Sequence, residues 1–180
     1  MAAIQYVEPV VRICAVISQF SEARQWGLVR LQDAWGPIAH QTDPMPFQAG
    51  GFYDAAMGTD LLKVLVAFEQ LCDPVGLADW KLATNQWEIE FSDQTPFPVP
   101  RPLNLDPGYV TQAKLVLATT KDRDHRIYLA EGIYAEVTLY FNQGQWKSRP
   151  WTYPDYQLPV CHEFLTEGRA LLRQRMRESG

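Results

Sequence analysis

The sequence is poor in cysteine and histidine, and the arrangement of both excludes several kinds of site. Cys14, Cys72 and Cys161 lie far apart, with no CxxC pair and no Cys/His metal-ligand spacing. An odd number of separated thiols argues against a disulfide-stapled secreted fold and favours a reducing cytoplasm. His40 and His162 have no ligand residues at suitable spacing, so no metal site is expected.

The sequence also lacks a long hydrophobic run. No stretch offers the roughly 20 apolar residues that a membrane-spanning helix needs. The apolar segment at residues 10–18 is interrupted by Arg12 and follows no basic leader, so it predicts a strand rather than a signal peptide. We therefore expect a soluble protein with no membrane partner.

Basic charge is scarce as well, because 16 Lys and Arg stand against 21 Asp and Glu, for a net charge of −5. Nonspecific nucleic-acid binding relies on a broad basic surface, and this balance argues against it. The charge is uneven, however: residues 1–100 contain 5 basic and 12 acidic side chains, whereas residues 101–180 contain 11 and 9. The second half is better suited to an anionic partner.

What the sequence does contain is enough apolar surface for one folded domain over residues 1–180. Hydrophobic residues make up 47% of the chain and aromatic residues 12%. Residues 8–105 predict a ferredoxin-like split βαβ core, if a fourth strand follows near 101–105. Its predicted elements are a strand at 10–18, a helix from Ser21 to Gly36-Pro37, a short strand after 38, a strand at 61–71, and a helix opened by Asp73-Pro74.

Residues 106–160 predict a helix followed by antiparallel hairpins. Asp106-Pro107 repeats the helix-opening dipeptide, and five residues after it share one helical face: Tyr109, Val110, Ala113, Lys114 and Leu117. Three strands follow between 126 and 151, with turns at Gly132 and Gly144. Residues 161–180 predict a C-terminal helix. The expected fold class is therefore α+β, with an added helix, an antiparallel hairpin sheet and a C-terminal helix beside the ferredoxin-like core.

A dense basic cluster between the predicted third helix and the first hairpin is the main candidate site. It contains Lys121, His125 and Arg126. Arginine binds phosphate or carboxylate through a planar fork, lysine supplies a point charge, and histidine can donate or shuttle a proton near neutral pH. The cluster predicts binding of a small anionic ligand that carries phosphate or carboxylate, and nucleotides are among the candidates. Four further residues would form the wall of the site: Asp106, Lys114, Tyr128 and Glu136.

Several alternatives stay open at this point. Asp122 and Asp124 can neutralise their basic neighbours, which would make the cluster only a charged turn. Glu136 can form a cross-strand salt bridge with Arg126 or, if it is buried, an acid/base pair with His125. The aromatic segment at residues 150–156 can wall a pocket or cap the core.

The alternative is that the protein is a non-catalytic structural or interaction module. It would form a homodimer through the aromatic face of the hairpin, which carries Tyr134 and Tyr140. No GxSxG motif and no Cys/His nucleophile signature occurs, so the sequence predicts no particular reaction or cofactor.

Several stretches resemble a bacterial family catalogued as domain of unknown function 4416, among them "LNLDPGY", "AKLVLATTKD", "HRIYL", "GIYAEVTL" and "PWTYPDY". The resemblance covers nearly the whole chain and implies no established activity. Some members carry a GTP-binding label, but this sequence has no GxxxxGK[ST] run and no GxGxxG. The family is more acidic near "PFQAGGFYDAAMG", where this chain has Ala56, so we assign that position no role.

Overall fold

The computed structural model describes residue 3 and residues 6–47, 50–94 and 96–178. The helices are α1 (Ser21–Trp35), α2 (Asp54–Met57), α3 (Leu77–Gln94) and α4 (Pro159–Glu178). The strands are β1 (Val10–Ser18), β2 (Ile38–Gln41), β3 (Met45–Pro46), β4 (Leu62–Cys72), β5 (Asn104–Val110), β6 (Lys114–Thr119), β7 (Ile127–Ala130), β8 (Ile133–Asn142) and β9 (Gln145–Ser148). Short 3₁₀ turns, Pro74–Gly76 and Pro154–Gln157, precede α3 and α4.

All of these strands belong to one antiparallel sheet. Its order is β2-β4-β1-β5-β6-β8-β7, with β3 beside β4 and β9 beside β8. Strands from both halves of the chain therefore pair in the same sheet. The prediction of an α+β protein is confirmed, and the predicted hairpin strands are part of one large antiparallel sheet. Among the described residues, no helix combines the length and apolar composition that a membrane span requires.

Helices cover both faces of the sheet, and β1 lies between them. Alternate β1 side chains point to opposite faces. Cys14 and Val16 pack in a cluster with residues of α1 and α3, while Ile13 and Ile17 pack in another with residues of α4. A strand that is buried on both faces is hydrophobic at nearly every position, which explains why "VVRICAVIS" shows no clean polar alternation.

Local signals placed α1 and α3 correctly. Gly36 follows α1 with a φ of +89°, a conformation that glycine adopts without a Cβ penalty. The Asp73 side chain accepts a hydrogen bond from the Val75 amide at 2.9 Å, and Pro74 begins the 3₁₀ turn that leads into α3. The predicted helix opening at Asp73-Pro74 is thus confirmed.

The third helix predicted over residues 106–117 is wrong. Residues 104–110 form β5, which pairs with β1, and residues 114–119 form β6. The Asp106 side chain does not cap a helix, because it accepts hydrogen bonds from Lys81 and Asn104 instead. Pairing of residues 104–110 with β1 therefore overrides the local helix signal of the Asp106-Pro107 dipeptide.

The β5 and β6 strands pair over only a short length. Gly108, Tyr109 and Val110 lie opposite residues 115–117, whereas residues 104–107 have no partner in β6. Pro107 stands in this unpaired part, where a strand tolerates a residue without an amide hydrogen. The sheet therefore opens between the start of β5 and the end of β6.

A β-bulge changes which face β8 presents. Leu139 pairs with Leu115, but Val137 already pairs with Val116, so Thr138 is the extra residue. Simple alternation had placed Glu136 and Leu139 on opposite faces, and the bulge brings them to the same one. Glu136 is consequently buried on the face that α4 covers.

The contact between β5 and β6 requires glycine at position 108. A Cβ at Gly108 would collide with the Val116 carbonyl oxygen and lie 2.7 Å from a Leu117 methyl group. We expect Gly108→Ala to lower the free energy of unfolding by about 1–3 kcal/mol, measured by urea denaturation. Gly168→Ala in α4 is the matched control, because its Cβ would meet atoms no closer than 3.8 Å. Equal effects of the two substitutions would contradict this account.

Candidate functional site

A cavity of about 180 Å³ lies at the opening between β5 and β6. Its lining is rich in charge, with five cationic side chains and three carboxylates: Lys63, Lys81, Arg101, Lys121, Arg126, Asp106, Glu136 and Asp155. Five aromatic rings from two distant segments complete the wall: Phe47, Phe52, Tyr53, Tyr153 and Tyr156. Charged side chains rarely concentrate in a partly enclosed space unless they are paired or bind a ligand.

Two side chains of α3 take the place of the missing strand partner at Leu105. The Glu88 carboxylate accepts a hydrogen bond from the Leu105 amide at 2.7 Å, and the Lys81 ammonium donates to the Leu105 carbonyl at 2.9 Å. Buried backbone groups need such partners, since leaving them unpaired costs free energy. The opening in the sheet is thereby stabilised, and Lys81 reaches the cavity from the α3 side.

Asp106 is held as a carboxylate by its neighbours. Lys81 donates to one of its oxygens at 2.9 Å, and the Asn104 amide donates to the other at 2.8 Å. Burial alone would raise the pKa of Asp106, but Lys81, Asn104 and Arg101 outweigh burial and lower that pKa below its ordinary value. Both oxygens of this carboxylate are therefore already occupied by protein donors.

Arg101 connects this carboxylate to Glu88. Its guanidinium donates twice to one Glu88 oxygen, at 2.6 and 3.0 Å, and also contacts the Asn104 side-chain oxygen. Burial raises the pKa of Glu88, although Lys81 and Arg101 oppose the effect. One continuous hydrogen-bonded network therefore joins Asn104 to four charged groups: Lys81, Glu88, Arg101 and Asp106.

Lys63 and Asp155 form a buried ion pair at the same cavity. Lys63 is on β4 and is 0% exposed, and its ammonium contacts the Asp155 carboxylate and lies 3.6 Å from the centroid of the Tyr156 ring. Asp155 and Tyr156 belong to the 3₁₀ turn before α4. The pair therefore ties this aromatic turn to the start of β4.

Arg126 is held rigidly at the cavity edge by three contacts. It donates to Glu136 at 2.8 Å, to the Lys121 carbonyl at 2.9 Å, and to the Tyr153 hydroxyl at 3.2 Å. Glu136 also faces His125 at 3.2 Å and accepts from Thr138 at 3.2 Å. The two alternatives for Glu136, a salt bridge with Arg126 and a pair with His125, therefore occur together.

The Lys121 ammonium lacks an ion pair within 4.0 Å, as far as the described residues extend. It lies 3.7 Å from the centroid of the Phe52 ring and 5.4 Å from that of Tyr53. Burial lowers the pKa of Lys121, and the positive charges of Arg126 and Arg101 add to the decrease while Asp106 opposes it. No carboxylate in the described part of the chain therefore forms an ion pair with this lysine.

The structure brings four of the seven predicted site residues to one cavity: Asp106, Lys121, Arg126 and Glu136. His125 contacts Glu136 from outside the lining, where its ring stacks on Trp151 at 4.7 Å and its other nitrogen faces Asp124. Lys114 and Tyr128 are exposed and lie elsewhere. Lys114 had been assigned to the helix that does not form, and it begins β6 at the far end from Thr119.

Sequence reasoning missed Lys63, Lys81 and Arg101, and it included Asp155 only as part of the aromatic segment at residues 150–156. Two of them carried a usable signal, because a single lysine interrupts the apolar run "LLKVLVAF" and another follows Trp80 on the buried side of α3. A lone charge at a core-facing position indicates a buried partner. Arg101 and Asp155 lie in proline-containing segments, where no periodicity shows which way a side chain points.

No group of three or more His, Cys, Asp or Glu side chains in the described part of the chain is arranged to hold a metal ion. Residues 8–171 match the family described as Domain of unknown function (DUF4416), which confirms the resemblance noted in the sequence. No curated protein and no solved structure matches the chain.

The Lys63–Asp155 pair should behave as a unit. Because Lys63→Met leaves a buried carboxylate without its counterion, we expect it to lower the free energy of unfolding by about 3–5 kcal/mol. The double variant Lys63→Met with Asp155→Leu should cost less than the single one, because it buries no unpaired charge. Urea denaturation measures both.

Glu90→Gln is the control, because it breaks an ion pair with Arg30 in which both side chains are more than a third exposed. An exposed pair of this kind should contribute less than about 1 kcal/mol. Additive losses from the two substitutions in the Lys63–Asp155 pair would contradict the buried-pair account.

Proposed function

The chain belongs to the DUF4416 family, and since that family has no known function, we propose one from the cavity: the protein binds a small anion that carries a carboxylate or phosphate group. The observation that carries this proposal is the Lys121 ammonium. It lines a cavity whose other four cations each contact a carboxylate. An anionic ligand would supply the charge that Lys121 lacks among the described residues.

The hydrogen-bonding capacity that remains in the cavity supports the same proposal. Both oxygens of Asp106 and both of Glu136 already accept hydrogen bonds from the protein. In contrast, the hydroxyls of Tyr53, Tyr156 and Thr120 make no hydrogen bond within the described residues. Burial, with a further contribution from Asp106, raises the pKa of Tyr53 to about 12, so its hydroxyl stays a donor at neutral pH. Apart from one buried Asp155 oxygen, which has no partner among the described residues, the remaining groups can donate, and such a lining suits a ligand rich in acceptors.

The cavity volume favours a small ligand over a whole nucleotide. Sites for drug-sized molecules commonly measure about 300–1,000 Å³, whereas this cavity measures about 180 Å³. A nucleotide would have to leave its base outside. We therefore propose binding of a small acid or phosphate, and we assign no reaction.

We also propose that residues 10–110 contain a ferredoxin-like split βαβ core. The strand order β2-β4-β1-β5, with α1 between β1 and β2 and α3 between β4 and β5, supports this topology. A cytoplasmic location is part of the same proposal, and it is supported by Cys14, Cys72 and Cys161, which are all free thiols.

Thermal-shift measurements with phosphate, acetate, citrate and nucleotides test the binding proposal. A ligand at about 100 times its dissociation constant adds about 2.7 kcal/mol of stability, which should raise the Tm by roughly 5–10 °C for a chain of this size. Lys121→Ala should lose most of this shift, because the unpaired charge is removed.

Lys114→Ala provides the matched control, since Lys114 is exposed and outside the cavity. The proposal fails if none of these anions raises the Tm of the unmodified protein, or if Lys121→Ala responds as the control does.

The alternative function is an interaction module that forms a homodimer. The observation in its favour is β7, an outer strand of the sheet with three exposed apolar residues: Ile127, Tyr128 and Leu129. Edge strands usually carry charges or proline that block further pairing, and β7 has neither. Antiparallel pairing with β7 of a second copy would extend the sheet. Of the two tyrosines expected at such an interface, Tyr134 packs on Tyr128, but Tyr140 lies under Arg149.

Light scattering across a range of protein concentrations tests this alternative. We expect Leu129→Lys to convert a dimer to a monomer, because it places a charge on the pairing strand. Val75→Lys is the control, since Val75 is exposed in the turn before α3. A protein that is monomeric at every concentration would exclude the homodimer.

A further inference from the structure

Two rings lie beside the Lys121 ammonium, and a third ring packs next to them. Together they form an aromatic surface at the cavity, which we call the aromatic wall: Phe52, Tyr53 and Phe47. The Phe52 side chain is 66% exposed, although its ring lines the cavity and packs edge-on against Tyr53, with centroids 5.0 Å apart. The Phe47 ring lies 5.9 Å from that of Tyr53. A single exposed aromatic residue is ordinary on a protein surface, but this one is part of a wall beside an unneutralised charge.

The position of the ammonium fixes where an anion would lie. Lys121 Nζ is 3.7 Å from the Phe52 centroid, and a carboxylate bound to an ammonium lies about 2.8 Å from the nitrogen. An acid group held by Lys121 therefore lies within about 6.5 Å of the Phe52 centroid and about 8.2 Å of the Tyr53 centroid. The group attached to that acid is then placed against the aromatic wall or in the cavity beside it.

Two further rings line the same cavity from a segment about 100 residues away. Tyr153 and Tyr156 belong to the region before α4, and each is fixed by a cation. Tyr153 accepts a hydrogen bond from Arg126 at 3.2 Å, and Tyr156 packs against the Lys63 ammonium. The lining is thus both cationic and aromatic. An inorganic anion would use only the first of these properties.

We propose that the ligand is a small planar aromatic or heteroaromatic acid, with its carboxylate at Lys121 and its ring against Phe52 and Tyr53. This inference rests on the proposed anion-binding function and names the ligand class. Aromatic rings prefer offset or edge-to-face packing with other rings, and one carboxylate balances the unpaired ammonium. The limited volume of the cavity suits a single ring rather than a fused system with a sugar and phosphates.

Titration calorimetry with four acids tests the proposal: benzoate, nicotinate, cyclohexanecarboxylate and acetate. Benzoate and cyclohexanecarboxylate have the same charge and similar size, but only benzoate is planar and aromatic. We expect benzoate and nicotinate to bind roughly three- to tenfold more tightly than cyclohexanecarboxylate, the range expected from one aromatic contact. Acetate should bind more weakly than all three, since it leaves the aromatic wall uncovered.

Phe52→Leu should remove the preference for benzoate over cyclohexanecarboxylate, so that the ratio of the two affinities falls to about one. Because Phe52 is largely exposed, the variant should retain the unliganded Tm. Tyr128→Leu is the matched control, as it replaces another exposed aromatic ring outside the cavity, and it should keep the preference.

The outcomes separate this inference from the proposed function. Equal affinities for benzoate and cyclohexanecarboxylate, or a preference that survives Phe52→Leu, would overturn the aromatic-acid proposal while anion binding stood. If the unmodified protein bound none of the four acids and no phosphate, both the aromatic-acid proposal and the anion-binding proposal would be overturned.

Discussion

The early end of the β5–β6 ladder is the constraint on which the cavity depends. Had the two strands paired along their full length, the space at the start of β5 would be filled by the sheet itself. The opening persists because α3 supplies Glu88 and Lys81 to the amide and carbonyl of Leu105, so the backbone loses no hydrogen bonds. The same two side chains begin the charged network, since Lys81 continues to Asp106 and Glu88 to Arg101. Fold and site therefore share a single set of contacts.

Folding alone does not require charged side chains in the cavity lining, and burying them costs free energy of desolvation. A buried ion pair stabilises a protein little compared with well-packed apolar side chains of similar volume. Lys63 and Asp155 are nevertheless buried, and Lys81 reaches the cavity through the opening. Four cation–carboxylate pairs around one small cavity are easier to understand as a polar surface arranged for a ligand. Under the proposed anion-binding function, the carboxylates would position the cations, and Lys121 and the hydroxyls of Tyr53 and Tyr156 would contact the ligand.

Much of the fold could be predicted from the sequence where the signal was local. The β-branched run of β1, the Asp73-Pro74 helix opening, and the turns at Gly132 and Gly144 each specify their structure within a few residues. The same logic failed at Asp106-Pro107, because pairing with β1 decided the conformation there. The site was predictable only in part. Charge density identified Lys121 and Arg126, whereas the bulge at Thr138 and the reach of Lys81 depend on partners 20 or more residues away.

At Leu105, side chains of α3 make the backbone hydrogen bonds that a neighbouring strand would otherwise make. These bonds also connect α3 to the interior of the sheet. The Leu105 amide hydrogen is protected by a carboxylate from α3 and not by a neighbouring strand. Its exchange with solvent deuterium should therefore follow the opening of α3, whereas the amides of β1 follow the opening of the whole sheet. A molecule that bound the outer side of α3 and displaced this helix would weaken the contacts of Lys81 and Glu88 with Leu105 together. Because Lys81 lines the cavity, the shape of the cavity would change as well.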